Sequence, residues 1–154
     1  MRDMRKVCIG IDPGALGAMA VLDPDAGVRL VLCDYAEYDE ELSRHAGRGD
    51  VFAAVEDVHA MPMNGCKGNF MLGWSLGRIQ QLLEHHGIPH QLVKPQAWQK
   101  EFGISNKDKS KAQSVAVARR LFPGEDLRRT PKCTKDHDGF ADALLLAEWG
   151  RRHG

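Results

Sequence analysis

Hydrophobic and polar positions divide the chain into short apolar runs separated by polar turns and amphipathic stretches. The first run, 7–11, stops at Asp12 and is followed at once by Pro and Gly, a pattern typical of a buried strand that carries an acid into a turn. The runs 15–23 and 27–34 follow after short turns, so the three strands are predicted to form an antiparallel meander. Because Asp also opens turns for conformational reasons, this stretch alone leaves a structural role for Asp12 as open as a functional one.

The run 51–55 repeats the pattern, because it ends in Glu56 and Asp57. If this strand lies parallel beside the first, it carries Glu56 to the same edge of the sheet as Asp12. Two carboxylates so placed repel each other and lose hydration, and a divalent cation is the usual remedy. The alternative is a strand that ends in solvated acids.

Helical periodicity dominates the rest of the chain. A helix is predicted from about 70 to 86, after a loop at 58–69, and a glycine is expected to end it. Gly73 and Gly77 are four residues apart in this helix, which favours close packing of the sheet or of a second subunit on that face. The remaining predicted elements are a strand at 90–93, a helix that opens with Pro95 and carries Trp98, a lysine-rich loop at 103–111, a helix at 112–121, a basic loop at 128–135 and a last helix from about 136.

The last helix carries Asp138 and Asp142, four residues apart, which places them one above the other on one helix face. Like charges in this arrangement destabilise an isolated helix, and the helix dipole offsets only part of that cost. Metal binding explains such a pair. The alternative is an N-cap Asp followed by a solvated one.

Composition fits one globular domain over residues 1–154, with 43% hydrophobic and 27% charged residues. The four cysteines are far apart and form no CxxC pair, so neither a zinc knuckle nor a disulfide framework is indicated. The chain shows no apolar run of about 18 residues and no signal-peptide pattern, so we expect a cytoplasmic protein without a membrane partner.

The formal net charge of zero conceals an uneven distribution. Residues 1–60 hold 6 Lys and Arg against 12 Asp and Glu, whereas residues 94–135 hold 11 against 4. An acidic half able to hold metal and a basic segment able to hold phosphate form an arrangement that a nuclease can use. Most charge runs are solvated faces, so the asymmetry adds little by itself.

The ordered set of these motifs resembles the ribonuclease H-like fold and, more narrowly, the RuvC-type Holliday junction resolvases. The narrower likeness is to phage and prophage RuvC-like proteins and to plant plastid resolvases, and it spans nearly the whole chain from about residue 6. The motifs that carry it are Ile9-Gly10-Ile11-Asp12-Pro13-Gly14, Val55-Glu56, Met61-Pro62 with Phe70 and Gly73, Val93-Lys94-Pro95-Gln96-Ala97-Trp98, Lys107-Asp108-Lys109 with Leu121-Phe122-Pro123, and Asp138-Gly139-Phe140-Ala141-Asp142-Ala143-Leu144.

The resemblance implies an α/β fold with a mixed five-stranded sheet, in which an antiparallel meander continues into parallel strands and helices flank the sheet. It further implies a homodimer, in the cytoplasm of a bacterial or phage-infected cell and associated with the nucleoid, that binds branched DNA. Such a dimer would resolve a four-way junction by nicking two opposed strands, one in each subunit.

Metal-binding acids are also implied by the resemblance, at Asp12, Glu56 and Asp142, with Asp138 as a further ligand. Bacterial RuvC sequences usually place that further acid at the position of Gly139, and plastid enzymes place a histidine where Asp138 stands. Two Mg²⁺ or Mn²⁺ ions held by four carboxylates suit the in-line hydrolysis of a phosphodiester. Oxygen ligands suit these hard cations, and the scattered histidines and cysteines argue against zinc.

Basic and aromatic residues supply the expected DNA contacts. Either Lys109 or Lys111 matches the family's catalytic lysine, which would stabilise charge at the scissile phosphate. Lys67, Asn69 and Phe70 lie where related enzymes insert a loop at the junction centre, although Phe70 can equally be the first core residue of its helix. Further phosphate contacts are expected from Lys107, Lys109, Lys111, Arg128, Arg129, Lys132 and Lys135.

Three other interpretations compete with the resolvase. The first turn also resembles the phosphate loop of actin-like ATPases and sugar kinases, but those proteins need two domains around their nucleotide and 154 residues hold one, so no nucleotide cofactor is expected. Four acids argue against a junction-binding module that does not cut. A nuclease of the same fold that acts on hybrids or flaps stays open.

Overall fold

The structure is a computed structural model that describes residues 6–105 and 110–154. Lys107 and Lys109, both predicted to contact DNA, lie outside the described residues. Within the two described ranges, five strands and five α-helices follow one another along the chain. In chain order they are β1 (Val7–Asp12), β2 (Ala18–Asp23), β3 (Gly27–Leu32), α1 (Tyr35–Ser43), β4 (Val51–Glu56), α2 (Gly65–His85), β5 (His90–Val93), α3 (Pro95–Glu101), α4 (Ser110–Leu121) and α5 (Asp138–His153).

One mixed sheet with the strand order β3-β2-β1-β4-β5 forms the centre of the molecule. The strands β1, β2 and β3 pair antiparallel, which confirms the predicted meander, and β4 and β5 continue the sheet in parallel with β1. The α/β fold class with a mixed five-stranded sheet is therefore confirmed. The central strand is β1, so Asp12 stands near the middle of one edge of the sheet.

Helices cover both faces of the sheet. Alternation along β1 sends Val7, Ile9 and Ile11 to the face covered by α1 and α2, with Leu42 and Leu83 among the buried contacts. The opposite face is covered by α3, α4 and α5, and its strands present alanine at positions such as Ala20 and Ala54. These small residues let α5 lie close to the sheet.

Helix α2 begins earlier than its sequence indicates. A start at about Phe70 is wrong, because a short 3-10 helix at Pro62–Asn64 leads directly into α2 at Gly65. Two glycines in the first turn made this segment look like a loop, since glycine is a poor helix former. Lys67, Asn69 and Phe70 consequently lie on the first turns of a helix and not on a loop.

No helix in the described ranges 6–105 and 110–154 is long and apolar enough to cross a membrane.

Candidate active site

Two acids meet at the edge of the sheet because of strand register. Ile11 of β1 is paired with Val55 of β4, so Asp12 and Glu56 are the next positions on two neighbouring parallel strands. Each acid stands two positions after a small residue that faces α5. Because side chains alternate between the two faces along a strand, both acids also face α5. The predicted meeting of these two carboxylates follows directly from this pairing.

The other two acids come from the first turns of α5, which begins at Asp138 with His137 as its N-cap. Asp142 is the inner member of the pair, and its Oδ1 is buried without a hydrogen-bond partner. Asp138 is more exposed, at 40% of its side chain, and it lies 3.4 Å from Nζ of Lys111. Of the two candidate lysines, Lys111 therefore lies within reach of the acids, while Lys109 is outside the described residues.

Burial, together with the charges of neighbouring carboxylates, raises the pKa values of Asp12 and Asp142. Burial raises the pKa of Asp12 well above its usual range, and the charges of Glu56, Asp142 and Asp138 raise it further. Burial is also the largest cause for Asp142, whose pKa rises to about 7, followed by the charge of Glu56. Such mutual repulsion in a partly buried site is relieved by a cation.

A cleft of about 790 Å³ opens above three of the acids. It is lined by Asp12, Asp138, Asp142 and Lys111 on one side and by residues of α2, among them Trp74, on the other. Glu56 does not line this cleft. One wall therefore carries the acids and a lysine, while the other carries an aromatic side chain.

The donor set fits a hard divalent cation. Carboxylate oxygens are the preferred ligands of Mg²⁺ and Mn²⁺, and the buried Oδ1 of Asp142 has no partner within the protein. Within the described part of the chain, no three His, Cys, Asp or Glu side chains form a cluster tight enough to hold an ion as they stand. The acids lie at one edge of the sheet and repel one another, but their oxygens are not spaced as the ligands of a single ion.

Gly139 accounts for the position of the fourth acid. A β-carbon on Gly139 would lie 2.5 Å from the carbonyl oxygen of Leu16 and 2.7 Å from Nε2 of His137. No side chain fits at this position while the turn after β1 packs against the start of α5. No acid fits at residue 139, and the assignment of Asp138, one residue earlier, as the further acid stays a prediction.

Trp98 was not predicted to belong to the site. Its ring is fully buried in the core formed with α5, and its Nε1 donates a hydrogen bond to Oε2 of Glu56 at 3.0 Å. Burial raises the pKa of Glu56, and this bond from Trp98 opposes the rise. A buried indole N–H usually finds an acceptor, which is the one sequence signal that could have indicated the contact.

Replacing Trp98 tests whether the indole orients Glu56. We expect Trp98→Phe to keep most of the buried ring while the pKa of Glu56 rises, because the carboxylate loses its charge-assisted donor. Titration of the side-chain carboxyl by nuclear magnetic resonance measures this pKa. Trp149→Phe is the matched control, since Trp149 stacks on His153 and makes no bond to the acids. An unchanged pKa in Trp98→Phe would contradict the role of the indole.

The raised pKa values also predict how the metal-free protein responds to pH. A buried acid whose pKa is raised by folding does not oppose folding while it is protonated, but its ionised form does. The free energy of unfolding therefore falls as pH rises from the usual Asp pKa of 3.8 through the folded value of about 7 for Asp142. Between pH 5 and pH 8 we expect the wild type to lose on the order of 2–4 kcal/mol of unfolding free energy relative to Asp142→Asn.

Urea denaturation at both pH values in the presence of a chelator measures this difference. The difference isolates the acid site, because Asp126 and Asp23, whose pKa values are lowered by folding, are present in both proteins. Added Mg²⁺ should restore the wild type at pH 8 and leave Asp142→Asn nearly unchanged. A pH-independent difference would contradict the raised pKa.

The residues expected at the junction centre lie at the start of α2. Phe70 is 73% exposed, so its interpretation as a core residue is wrong, and an exposed aromatic side chain is available for stacking. Asn69 is engaged within the protein, because its side-chain amide accepts from the N–H and donates to the carbonyl of Met61, both at 3.0 Å. Lys67 is exposed in the same turn. Their contacts with DNA stay predictions.

The basic loop before α5 contains one arginine that is bonded within the protein and three exposed basic side chains. The Arg128 guanidinium bonds both carboxylate oxygens of Asp126 and the carbonyl of Pro131. Arg129, Lys132 and Lys135 are exposed. The three exposed residues are thus better placed than Arg128 to meet phosphate, and all four assignments stay predictions.

Comparison with known proteins adds to this geometry. A scan against models of protein families finds no match. The chain is 33% identical over 101 residues to the chloroplastic Holliday junction resolvase MOC1 of Chlamydomonas reinhardtii. That similarity covers 64% of this chain but 11% of the relative, so the chain spans about a tenth of the length of the curated protein that it matches.

Solved structures show the same fold at low identity. T. thermophilus RuvC in complex with a Holliday junction substrate superposes with a TM-score of 0.61 at 16% identity, covering 92% of this chain and 90% of RuvC. The yeast mitochondrial Holliday junction resolvase superposes with a TM-score of 0.56 at 16% identity, covering 96% and 78%. Strand order, the acids at one edge and these similarities agree with the resemblance that the motifs indicate, and the chain has the fold of the RuvC structures.

Proposed function

We propose that this protein is a metal-dependent endodeoxyribonuclease that resolves four-way DNA junctions by paired, symmetric nicks. The observation that carries the proposal is the meeting of Asp12 and Glu56 with the acids of α5 at one edge of the sheet, beside a lysine. The relatives named above are Holliday junction resolvases, and one of them has been seen with its junction. Both lines of support favour the same reaction.

Asp12, Glu56, Asp138 and Asp142 would hold two Mg²⁺ or Mn²⁺ ions. When bound, such ions lower the pKa of a water nucleophile and stabilise charge on the leaving 3′-oxygen. The chain contributes the orientation of the carboxylates, through β1, β4 and the first turns of α5, and the indole of Trp98 holds one oxygen of Glu56. Lys111 would add positive charge at the scissile phosphate.

DNA would enter along the cleft between the acids and α2. Exposed apolar side chains gather at the start of α2, where Met63 is 93% and Phe70 is 73% exposed. Aromatic rings at such positions stack on unpaired bases, which a junction centre offers and a regular duplex does not. Arg129, Lys132 and Lys135 would meet the phosphates of the arms.

A second copy of this chain would pack on the outer face of α2. Apart from the neighbouring backbone of α2 itself, no described residue lies within 4 Å of the positions that β-carbons on Gly73 and Gly77 would occupy, and Trp74 beside them is 44% exposed. A helix face with two glycines one turn apart lets another backbone approach closely. A homodimer supplies the two active sites that paired nicks require.

Charge on this face tests the dimer. We expect Gly77→Glu to turn the dimer into a monomer, because a buried unpaired carboxylate costs several kcal/mol in an interface. Sedimentation equilibrium measures the change, and Gly49→Glu in the loop before β4 is the control, since that glycine also has open space around it. A dimer that survives Gly77→Glu with unchanged affinity would place the interface elsewhere.

Cleavage of defined substrates tests the function itself. Purified protein with Mg²⁺ or Mn²⁺ is expected to nick a synthetic four-way junction at symmetric positions in two opposed strands and to leave the matching linear duplex intact. Faster cutting of a linear RNA–DNA hybrid or of a flap would instead support another nuclease of this fold. Junction binding that weakens less steeply with salt than duplex binding would indicate recognition of shape beyond bulk charge.

A further inference from the structure

A buried serine connects α2 to the turn that carries Asp12. Ser75 is 2% exposed, although serine is usually found at the surface. Its Oγ accepts a hydrogen bond from the backbone N–H of Gly14 at 3.0 Å, and Gly14 follows Asp12 by two residues. The side chain of Leu72, one turn earlier on α2, lies 3.6 Å from the position that a β-carbon on Gly14 would occupy. Helix α2 therefore braces this turn from the face opposite to α5.

The same oxygen accepts a second hydrogen bond. The hydroxyl of Tyr35, the first residue of α1, donates to Oγ of Ser75 at 2.7 Å, so one buried atom joins α1, α2 and the turn after β1. Burial raises the pKa of Tyr35, which keeps its hydroxyl protonated and able to donate. Neither hydrogen bond belongs to a helix or to the sheet, because each joins two separate elements.

From Tyr35 the contacts continue to the outer face of α2. The guanidinium carbon of Arg78 lies 4.1 Å from the centre of the Tyr35 ring, and the ring of Trp74 meets Tyr35 edge-on at 5.4 Å. Arg78 is exposed on the α2 face that we assign to the second protomer, and the exposed Trp74 also lines the cleft above the acids. An unbroken series of contacts thus runs from this face through Tyr35 and Ser75 to the turn after Asp12.

We propose that Ser75 and Tyr35 are a positioning pair that sets the Asp12 carboxylate for metal binding and ties its position to the packing of α2. This inference rests on the proposed function, because it concerns the same acid site. Ser75 and Tyr35 act on the ions through the Asp12 turn and do not touch them. Removing the pair should weaken metal binding and the chemical step while junction affinity is preserved.

Calorimetric titration of the metal-free protein with Mn²⁺ tests the pair without relying on activity. Ser75→Ala should raise the Mn²⁺ dissociation constant about 10-fold, since groups that orient metal ligands act on that scale. Tyr35→Phe keeps the ring but loses one of the two bonds, so about a 3-fold rise is expected. The double variant should resemble Ser75→Ala, because both bonds end on one oxygen.

Controls separate this inference from the proposed function. Ser43→Ala, at an exposed serine of α1 that bonds only the Glu40 carbonyl, should bind Mn²⁺ like the wild type. In cleavage assays Ser75→Ala should lower kcat and leave KM for the junction unchanged. Wild-type affinity in Ser75→Ala, or additive effects in the double variant, would overturn the positioning pair alone. A wild type that binds no Mn²⁺ at Asp12, judged against Asp12→Asn, would overturn the proposed function and the pair with it.

Discussion

Asp12→Asn is expected to abolish junction cleavage while junction binding stays within about twofold of the wild type. The amide keeps the size of the side chain but removes the charge that the other acids crowd against. Metal ions contribute several kcal/mol of charge stabilisation in such reactions, so we expect a loss on the order of 10³-fold in kcat. Gel-based cleavage and equilibrium binding on one labelled junction measure the two properties side by side.

The same substitution should stabilise the metal-free protein at pH 8. Burial and like charges raise the pKa of Asp12, so above its folded pKa the ionised carboxylate opposes folding and a neutral amide does not. Added Mg²⁺ should then favour the wild type over Asp12→Asn. Asp25→Asn, at an exposed acid in the turn between β2 and β3, should match the wild type in cleavage and stability. Cleavage retained in Asp12→Asn would exclude this edge as the catalytic site.

The sheet and the four acids could be predicted because their signals are local. Each apolar run that ends in a carboxylate marks both a strand and the edge at which it stops, and the helical spacing of Asp138 and Asp142 marks one face. Parallel pairing of β1 and β4 then brings Asp12 and Glu56 together without further information. The resemblance to RuvC-type proteins supplied the order in which these pieces combine.

Contacts between distant residues could not be predicted in this way. The bond from Trp98 to Glu56 joins residues 42 positions apart, and the bond from Gly14 to Ser75 joins residues 61 apart. Hydrophobic periodicity states which side of an element is buried, but not which buried polar atom meets which. The start of α2 was missed for another reason, since Gly65 and Gly68 are poor helix formers and the exposed first turn carries no apolar periodicity that would indicate a helix.

Gly10→Ala is expected to destabilise the protein by at least about 3 kcal/mol. The apolar pattern of β1 does not indicate that this position needs glycine. A β-carbon at this position would lie 2.0 Å from the carbonyl oxygen of Ala143 and 2.3 Å from the backbone nitrogen of Ala147. Both atoms belong to the backbone of α5, so no side-chain rotation relieves the overlap. The helix has to move away from β1 or the strand has to bend.

Movement of α5 would also act on the site. Ala143 follows Asp142 directly, so a shift that accommodates residue 10 draws the acids of α5 away from Asp12. Urea denaturation should therefore show lower stability in Gly10→Ala, and Mn²⁺ calorimetry of the folded protein should show weaker binding as well. Gly49→Ala is the control, because its β-carbon meets nothing within 4 Å. Wild-type stability together with wild-type Mn²⁺ affinity in Gly10→Ala would mean that the distance between α5 and β1 does not determine how the acids meet.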